Sequence, residues 1–336
     1  MFKHYLAWLE PRLAAEDEEY KLVEPMEPGL ELLTDDRNAT ADWEAVREFG
    51  LSQAARSDEF YQIDESGVEY ACDGEWLWFP SPIPTETPGN NRAGGRVFET
   101  KRCERAVVIL PHWNATGASY DRFAVLLRRA GIASVRLSLP YHDGRNAEGL
   151  KLSTLMVSAN LGRTIRSCRQ AVLEARLAVG WLRRRGYERI GIVGTSLGSS
   201  IAAITAAHET RIKAAALILM ASHFGEVVWS GRATRHIRRM VEGRLSLEQL
   251  VDVWSVISPE TYVRRLADRQ VPLLVLSGRM DEVFPPHLTR RFIDQLGAHG
   301  VPHRWKSWNC GHYTMGTLPI SLHVFGTVLR FLKANL

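Results

Sequence analysis

Four short, almost wholly apolar runs constrain this chain most: AVVILP (106–111), RIGIVG (189–194), AAALILM (214–220) and VPLLVLSG (271–278). Each is short for a buried helix and lacks the polar–apolar alternation of a strand with one wet face, so each reads as a strand buried on both faces. Segments of helical periodicity separate them: about ten residues ending at Gly131, a long stretch from about Asn160 to Arg185, the small-residue segment TSLGSSIAAITAAH, and the closing SLHVFGTVLRFLKANL. Strands alternating with helices predict an α/β fold with a mainly parallel sheet flanked by helices. IASVRLSLP and HRWKSW extend the strand series. WLWF and GRVFET are weaker candidates on either side of a turn-rich stretch, SPIPTETPGNNRAGG.

At 336 residues, one elaborated domain is expected from residues 76–336, preceded by a helical or irregular extension over 1–75 and interrupted by a helical insertion over about 221–270. The net charge of +4 hides an asymmetry: residues 1–100 hold 8 Lys and Arg against 22 Asp and Glu, and the remainder 34 against 16. The acidic segment either lies across the basic body or is a solvated extension. The basic residues are spread over several helices without interleaved aromatics, which argues against a nucleic-acid partner. Cys72, Cys103, Cys168 and Cys310 form no C-x-x-C pair, so reduced thiols in the cytoplasm are expected. The N-terminus lacks an apolar stretch of signal-peptide length, and no segment has the length of a membrane span.

Gly194-Thr195-Ser196-Leu197-Gly198 matches G-x-S-x-G at the point where a buried strand gives way to a helix. Such a turn strains the backbone at the serine and demands neighbours without bulk. The helix start also aims backbone N–H groups, Leu197 foremost, at a reacting carbonyl. A serine hydroxyl needs a base, commonly a histidine held by a carboxylate. Asp281, in GRMDEVFPP, and His312, in NCGHYTMG, each lie just beyond the carboxyl end of a strand, the edge at which open α/β sheets bind ligands. Glu282 competes with Asp281, while His299 and His303 compete with His312 from a loop and a strand. This chemistry requires no metal and no organic cofactor.

The order Ser196, Asp281, His312 resembles that of the α/β-hydrolase superfamily, over residues from about 76 onward. Within it, LPYHDGR, the arginine-rich helix, GTSLGSS and VVWSG are similar to uncharacterised bacterial hydrolases related to the abhydrolase-domain-containing protein 18 group. The resemblance implies a serine hydrolase cleaving a carboxylic ester, thioester or amide of a small-molecule acyl substrate, esterase- or lipase-like. It also implies a second oxyanion donor at the backbone N–H of Asn114 or Trp113, although Trp113 stands where members often carry glycine. A helical lid over 221–270 is the corresponding expectation for the insertion.

His112, Tyr141, His142, Asp143 and Arg145 follow strands at the same sheet edge, and either line the substrate site or build a hydrogen-bonded loop. Arg232, Arg235, His236, Arg238 and Arg239 in the insertion either meet an anionic acyl group or phospholipid head group, the latter implying peripheral membrane contact, or form solvated helix faces. A non-catalytic binding protein on the same fold, and a peptidase of the prolyl-oligopeptidase type, are the competing functions.

Overall fold

A computed structural model describes residues 2–18, 21–34, 42–100 and 104–336. Cys103 lies outside them. Nine strands form one sheet: β1 (Ala71–Cys72), β2 (Trp76–Pro80), β3 (Arg92–Phe98), β4 (Arg105–Leu110), β5 (Ala133–Leu137), β6 (Arg189–Thr195), β7 (Ile212–Ile218), β8 (Leu273–Gly278) and β9 (His303–Trp308). Their spatial order is β1-β2-β3-β5-β4-β6-β7-β8-β9. The pairs up to β3–β5 are antiparallel, and every pair from β5 to β9 is parallel.

The apolar runs are continuous because both faces of each central strand are covered. In β4, Ala106, Val108 and Leu110 enter one core cluster while Val107 and Ile109 enter the other. In β8, Leu273 and Val275 alternate in the same way with Leu274 and Leu276. Each such Val, Leu or Ile side chain contributes about 1.5–3 kcal/mol on burial.

In chain order the helices are α1 (Phe2–Glu18), α2 (Trp43–Ala55), α3 (Ser57–Phe60), α4 (Asp121–Arg129), α5 (Leu161–Arg184), α6 (Leu197–His208), α7 (Phe224–Ser230), α8 (Arg235–Val241), α9 (Leu247–Val253), α10 (Val263–Arg269), α11 (Pro286–Ala298) and α12 (Ile320–Asn335). Residues of α5, α6 and α11 pack in the first cluster, and residues of α4 and α12 in the second. Helices α7–α10 occupy the stretch between β7 and β8 in which a helical insertion is expected.

The residues ahead of β2 are built into this core. Val46 of α2 is fully buried, and so is Tyr61, whose hydroxyl donates to the Val256 carbonyl at 2.8 Å. Acids of residues 1–100 pair with arginines of the body: Glu24 with Arg163, Asp58 with Arg265 and Glu65 with Arg211 from ahead of β2, and Glu86 with Arg166 from the turn after it. The acidic segment therefore lies across the basic body. One strand starts earlier than the sequence indicates, because β3 takes in Gly94 as well as Gly95. A Cβ on either would lie 2.2 Å from a carbonyl oxygen of the adjacent strand, Leu77 or Arg136, so these glycines serve close strand approach rather than a turn.

Candidate active site

Strand order reverses at β4: the chain passes from β4 to β5 on one side, then resumes at β6 on the other. The crevice beyond the carboxyl ends of β4 and β6 is where such a sheet leaves room for a ligand. Ser196 sits there, between the end of β6 and the start of α6, with φ 55° and ψ −121°. That conformation is costly for a residue with a Cβ and persists only where the surroundings impose it. Here they do. A Cβ on Gly194 would lie 2.1 Å from the Gly198 carbonyl oxygen, and one on Gly198 would lie 2.3 Å from that of Leu110. The Ser196 N–H is tied to the Ile218 carbonyl at 2.8 Å.

Loops after β8 and β9 bring the other two side chains to this serine. His312 Nε2 lies 2.8 Å from Ser196 Oγ, and His312 Nδ1 lies 2.8 Å from Asp281 Oδ2. The second carboxylate oxygen of Asp281 accepts the Val283 and Phe284 N–H groups at 2.8 and 2.7 Å. Asp281 is thus buried yet saturated, and its acceptor oxygen fixes the proton on Nδ1, leaving Nε2 to accept from the serine hydroxyl. Glu282 points elsewhere, toward Arg232 at 3.3 Å. The imidazoles of His299 and His303 engage nearby backbone carbonyls, those of Gln295 and Val301.

Ser196 and His312 open onto a cavity of about 640 Å³. Its wall is mostly apolar, with Leu13, Val157, Phe224, Val227, Phe284 and Phe325 among the lining side chains. Among the described residues, Glu16 is the only carboxylate on it, and no lysine or arginine lines it. Val227 and Val228 of α7, with Ala233 and Thr234 of the turn that follows, contribute part of this wall. The arginines of the insertion face away: Arg238 pairs with Glu242 and lies over the Trp229 ring, while Arg235 and Arg239 are exposed. His236 stacks on Trp113 with ring centroids 6.2 Å apart.

The loop after β4 distinguishes the two N–H groups expected as oxyanion donors. Asn114 does not offer its N–H to the cavity, because His142 Nε2 accepts it at 3.1 Å. The N–H groups of Trp113 and Leu197, in contrast, have no acceptor among the described residues. Trp113 is held by its indole N–H, which donates to the Ser153 carbonyl at 2.9 Å, and the Asn114 side chain accepts the Ser153 N–H. Of His112, Tyr141, His142, Asp143 and Arg145, His112 alone lines the cavity, its Nδ1 2.7 Å from the Tyr120 hydroxyl, which burial keeps protonated up to about 12.

Tyr141, His142 and Arg145 lie behind the cavity wall. Arg145 is 3% exposed, forks onto Glu174 of α5 at 2.6 and 2.7 Å, and donates to the carbonyls of Ser138 and Asn90. Tyr141 is buried with its N–H on Asn90 Oδ1, and Asp143 accepts from Arg136 and Ser138. The segment turns back into the protein and supports the Trp113 loop from below. Leu13, Tyr120 and Phe325, which line the cavity, come from segments in which the sequence shows no motif. Among the described residues, no cluster of three or more His, Cys, Asp or Glu side chains is arranged to hold a metal ion.

His142 carries a pH dependence. Its Nδ1 donates to the Pro140 carbonyl at 2.8 Å while Nε2 accepts from Asn114, and burial pushes its pKa down to about 4. Burial likewise lowers His208 and His223 to about 4. With an unfolded value of about 6.5, each binds its proton in the unfolded chain first on acidification. Stability is therefore complete above about pH 6.5 and falls toward pH 4, by roughly 1 kcal/mol per pH unit for each histidine. Urea unfolding at pH 7 and pH 5.5 measures this. His142→Gln, which keeps an acceptor and a donor but does not titrate, flattens part of the slope, and an unchanged slope rejects the assignment.

The sheet order, the flanking helices and the turn bearing Ser196 define an α/β-hydrolase fold. No protein-family model matches the chain, and no curated protein matches it significantly. Among solved structures, it is similar to an esterase of Pyrococcus furiosus, with a TM-score of 0.53 and 14% identity over 80% of this chain and 91% of that one. It is similar also to the acetyl xylan esterase 1 of a Thermoanaerobacterium species, with a TM-score of 0.57 and 16% identity over 87% and 93% of the two chains. An acylaminoacyl peptidase of Pyrococcus horikoshii gives a TM-score of 0.61 at 15% identity over 80% of this chain, which spans 42% of the peptidase. At these identities the likeness is one of fold.

Proposed function

We propose that this chain is a serine hydrolase that cleaves carboxylic esters through an acyl-Ser196 intermediate. The observation that carries the reading is the unbroken line from Asp281 through His312 to Ser196, with both hydrogen bonds at 2.8 Å. His312 takes the hydroxyl proton as Ser196 attacks, hands it to the leaving group, and then activates water for deacylation. Asp281 holds the imidazole tautomer and stabilises its charged form. The Leu197 and Trp113 N–H groups are the donors for the oxyanion.

The mostly apolar cavity, whose wall among the described residues holds no lysine or arginine to meet a carboxylate or phosphate, favours a neutral acyl chain over an anionic one. That argues against the anionic acyl or phospholipid partner considered for the insertion's arginines, and assigns α7 and the turn after it to the acyl wall of a lid. Thioesters and amides are the secondary substrates. LPYHDGR, GTSLGSS and VVWSG support kinship with the abhydrolase-domain-containing protein 18 group. No helix among the described residues is long and apolar enough to cross a membrane, and Cys72, Cys168 and Cys310 are free thiols, which supports a cytoplasmic setting.

A fluorophosphonate probe followed by peptide mapping tests the reading, because it needs an activated serine. Labelling at Ser196, with turnover of p-nitrophenyl esters, is the expected result. Among those esters, kcat/KM rises with acyl length until the cavity is filled. No labelling together with no hydrolysis of any ester establishes a binding protein instead.

A further inference from the structure

We infer that Glu10 is a positioning residue for this reaction: its carboxylate, carried on α1, fixes the 311–314 turn and thereby the His312 imidazole. The inference rests on the proposed roles of Ser196 and His312. Glu10 Oε1 accepts the Tyr313 N–H at 3.0 Å, while Oε2 accepts the Thr314 N–H at 2.8 Å and the Thr314 hydroxyl at 2.7 Å. That hydroxyl oxygen in turn accepts the Gly311 N–H at 2.8 Å. The residues on either side of His312 are therefore tied, directly or through one hydroxyl, to a single carboxylate that stands 302 residues earlier in the sequence.

Glu10 is 7% exposed, and the bonds seen at its carboxylate among the described residues come from this turn rather than from a cation. A buried charge without a counter-ion is costly unless strong donors replace its water, and all three donors here belong to one turn. The approach is close: a Cβ on Gly311 would lie 2.1 Å from the Glu10 carboxyl carbon, so a side chain before His312 would displace this carboxylate. Leu6, on the same helix, anchors α1 in the core cluster that holds Met315 and Ile320. Leu13, one turn beyond Glu10, reaches the cavity wall, and α1 also packs on the turn after α7. The helix thus borders the cavity on one side and braces the base on the other.

A helix held merely for stability needs no ionised group at this point, whereas an imidazole that must meet a hydroxyl at 2.8 Å is sensitive to shifts of about 1 Å, which can cost about 100-fold in rate. In the full chain, Glu10→Gln keeps the side-chain length but faces the three donors with one carbonyl oxygen and an amide that cannot accept. The expected result is a fall in kcat of about 10- to 100-fold with KM changed by less than about 2-fold. Amide exchange across 309–317 accelerates, and Glu10→Asp, which restores the charge, recovers part of the rate. Val46→Ala, which opens the core under α2 away from this turn, lowers the melting temperature while leaving kcat at 25 °C unchanged, and so controls for lost stability.

A folded Glu10→Gln protein with wild-type kcat, or with unaltered exchange at 309–317, overturns the inference while the hydrolase reading stands. If the wild-type chain neither reacts with the fluorophosphonate nor hydrolyses any ester, the hydrolase reading fails and the positioning role fails with it.

Discussion

Ser196→Ala leaves a folded protein that fluorophosphonates do not label and whose ester turnover is lower by roughly 10⁵- to 10⁶-fold. The loss is large because the substitution removes the atom that bonds to the acyl group, so neither His312 nor the oxyanion donors can compensate. Residual hydrolysis is what bound substrate and the N–H groups of Leu197 and Trp113 supply to an attacking water. The fold survives for reasons visible at the turn. Alanine has the same Cβ as serine, so the strained φ of 55° is neither relieved nor worsened. The deleted hydroxyl is hydrogen-bonded to His312 and lies beside the cavity rather than in the core. Circular dichroism with a thermal melt checks the fold, and active-site labelling with steady-state kinetics checks the chemistry. A variant that keeps turnover within tenfold of wild type removes Ser196 from the mechanism.

The parallel half of the sheet was legible because strands covered on both faces leave uninterrupted apolar runs, and the turn at Ser196 because close approach leaves a glycine on each side of it. The loops holding Asp281 and His312 were legible for a related reason, since strand ends mark the ligand edge of such a sheet. Position along a strand does not say where a following side chain turns, however. His142 and Arg145 start at the right edge and bend back to partners, Asn114 and Glu174, that spacing does not reveal. The antiparallel margin was harder. Ala71 and Cys72 of β1 are exposed and carry no apolar pattern, and Gly94-Gly95 imitates a turn. Glu10 and Leu13 were illegible altogether, because their roles depend on α1 docking across a loop near the far end of the chain.

Asp281→Asn separates orientation from structure. The Asn Oδ1 still accepts the Val283 and Phe284 N–H groups, which hold the loop in the parent protein at 2.8 and 2.7 Å. Its amide nitrogen then faces His312 Nδ1, a donor where an acceptor had been, so the imidazole carries its proton on Nε2 and presents an N–H to the serine oxygen. A ring in that tautomer cannot remove the hydroxyl proton. The expected fall in kcat is about 10³- to 10⁴-fold, with little change in KM and a melting temperature near that of the parent. Glu282→Gln is the matched control, because Glu282 is largely exposed and points to Arg232; its kcat stays at the wild-type value. Stopped-flow acylation with a p-nitrophenyl ester measures both variants. If the Gln variant loses the burst and the Asn variant keeps it, the carboxylate that orients the base is Glu282, and the line through Asp281 is incidental to the chemistry.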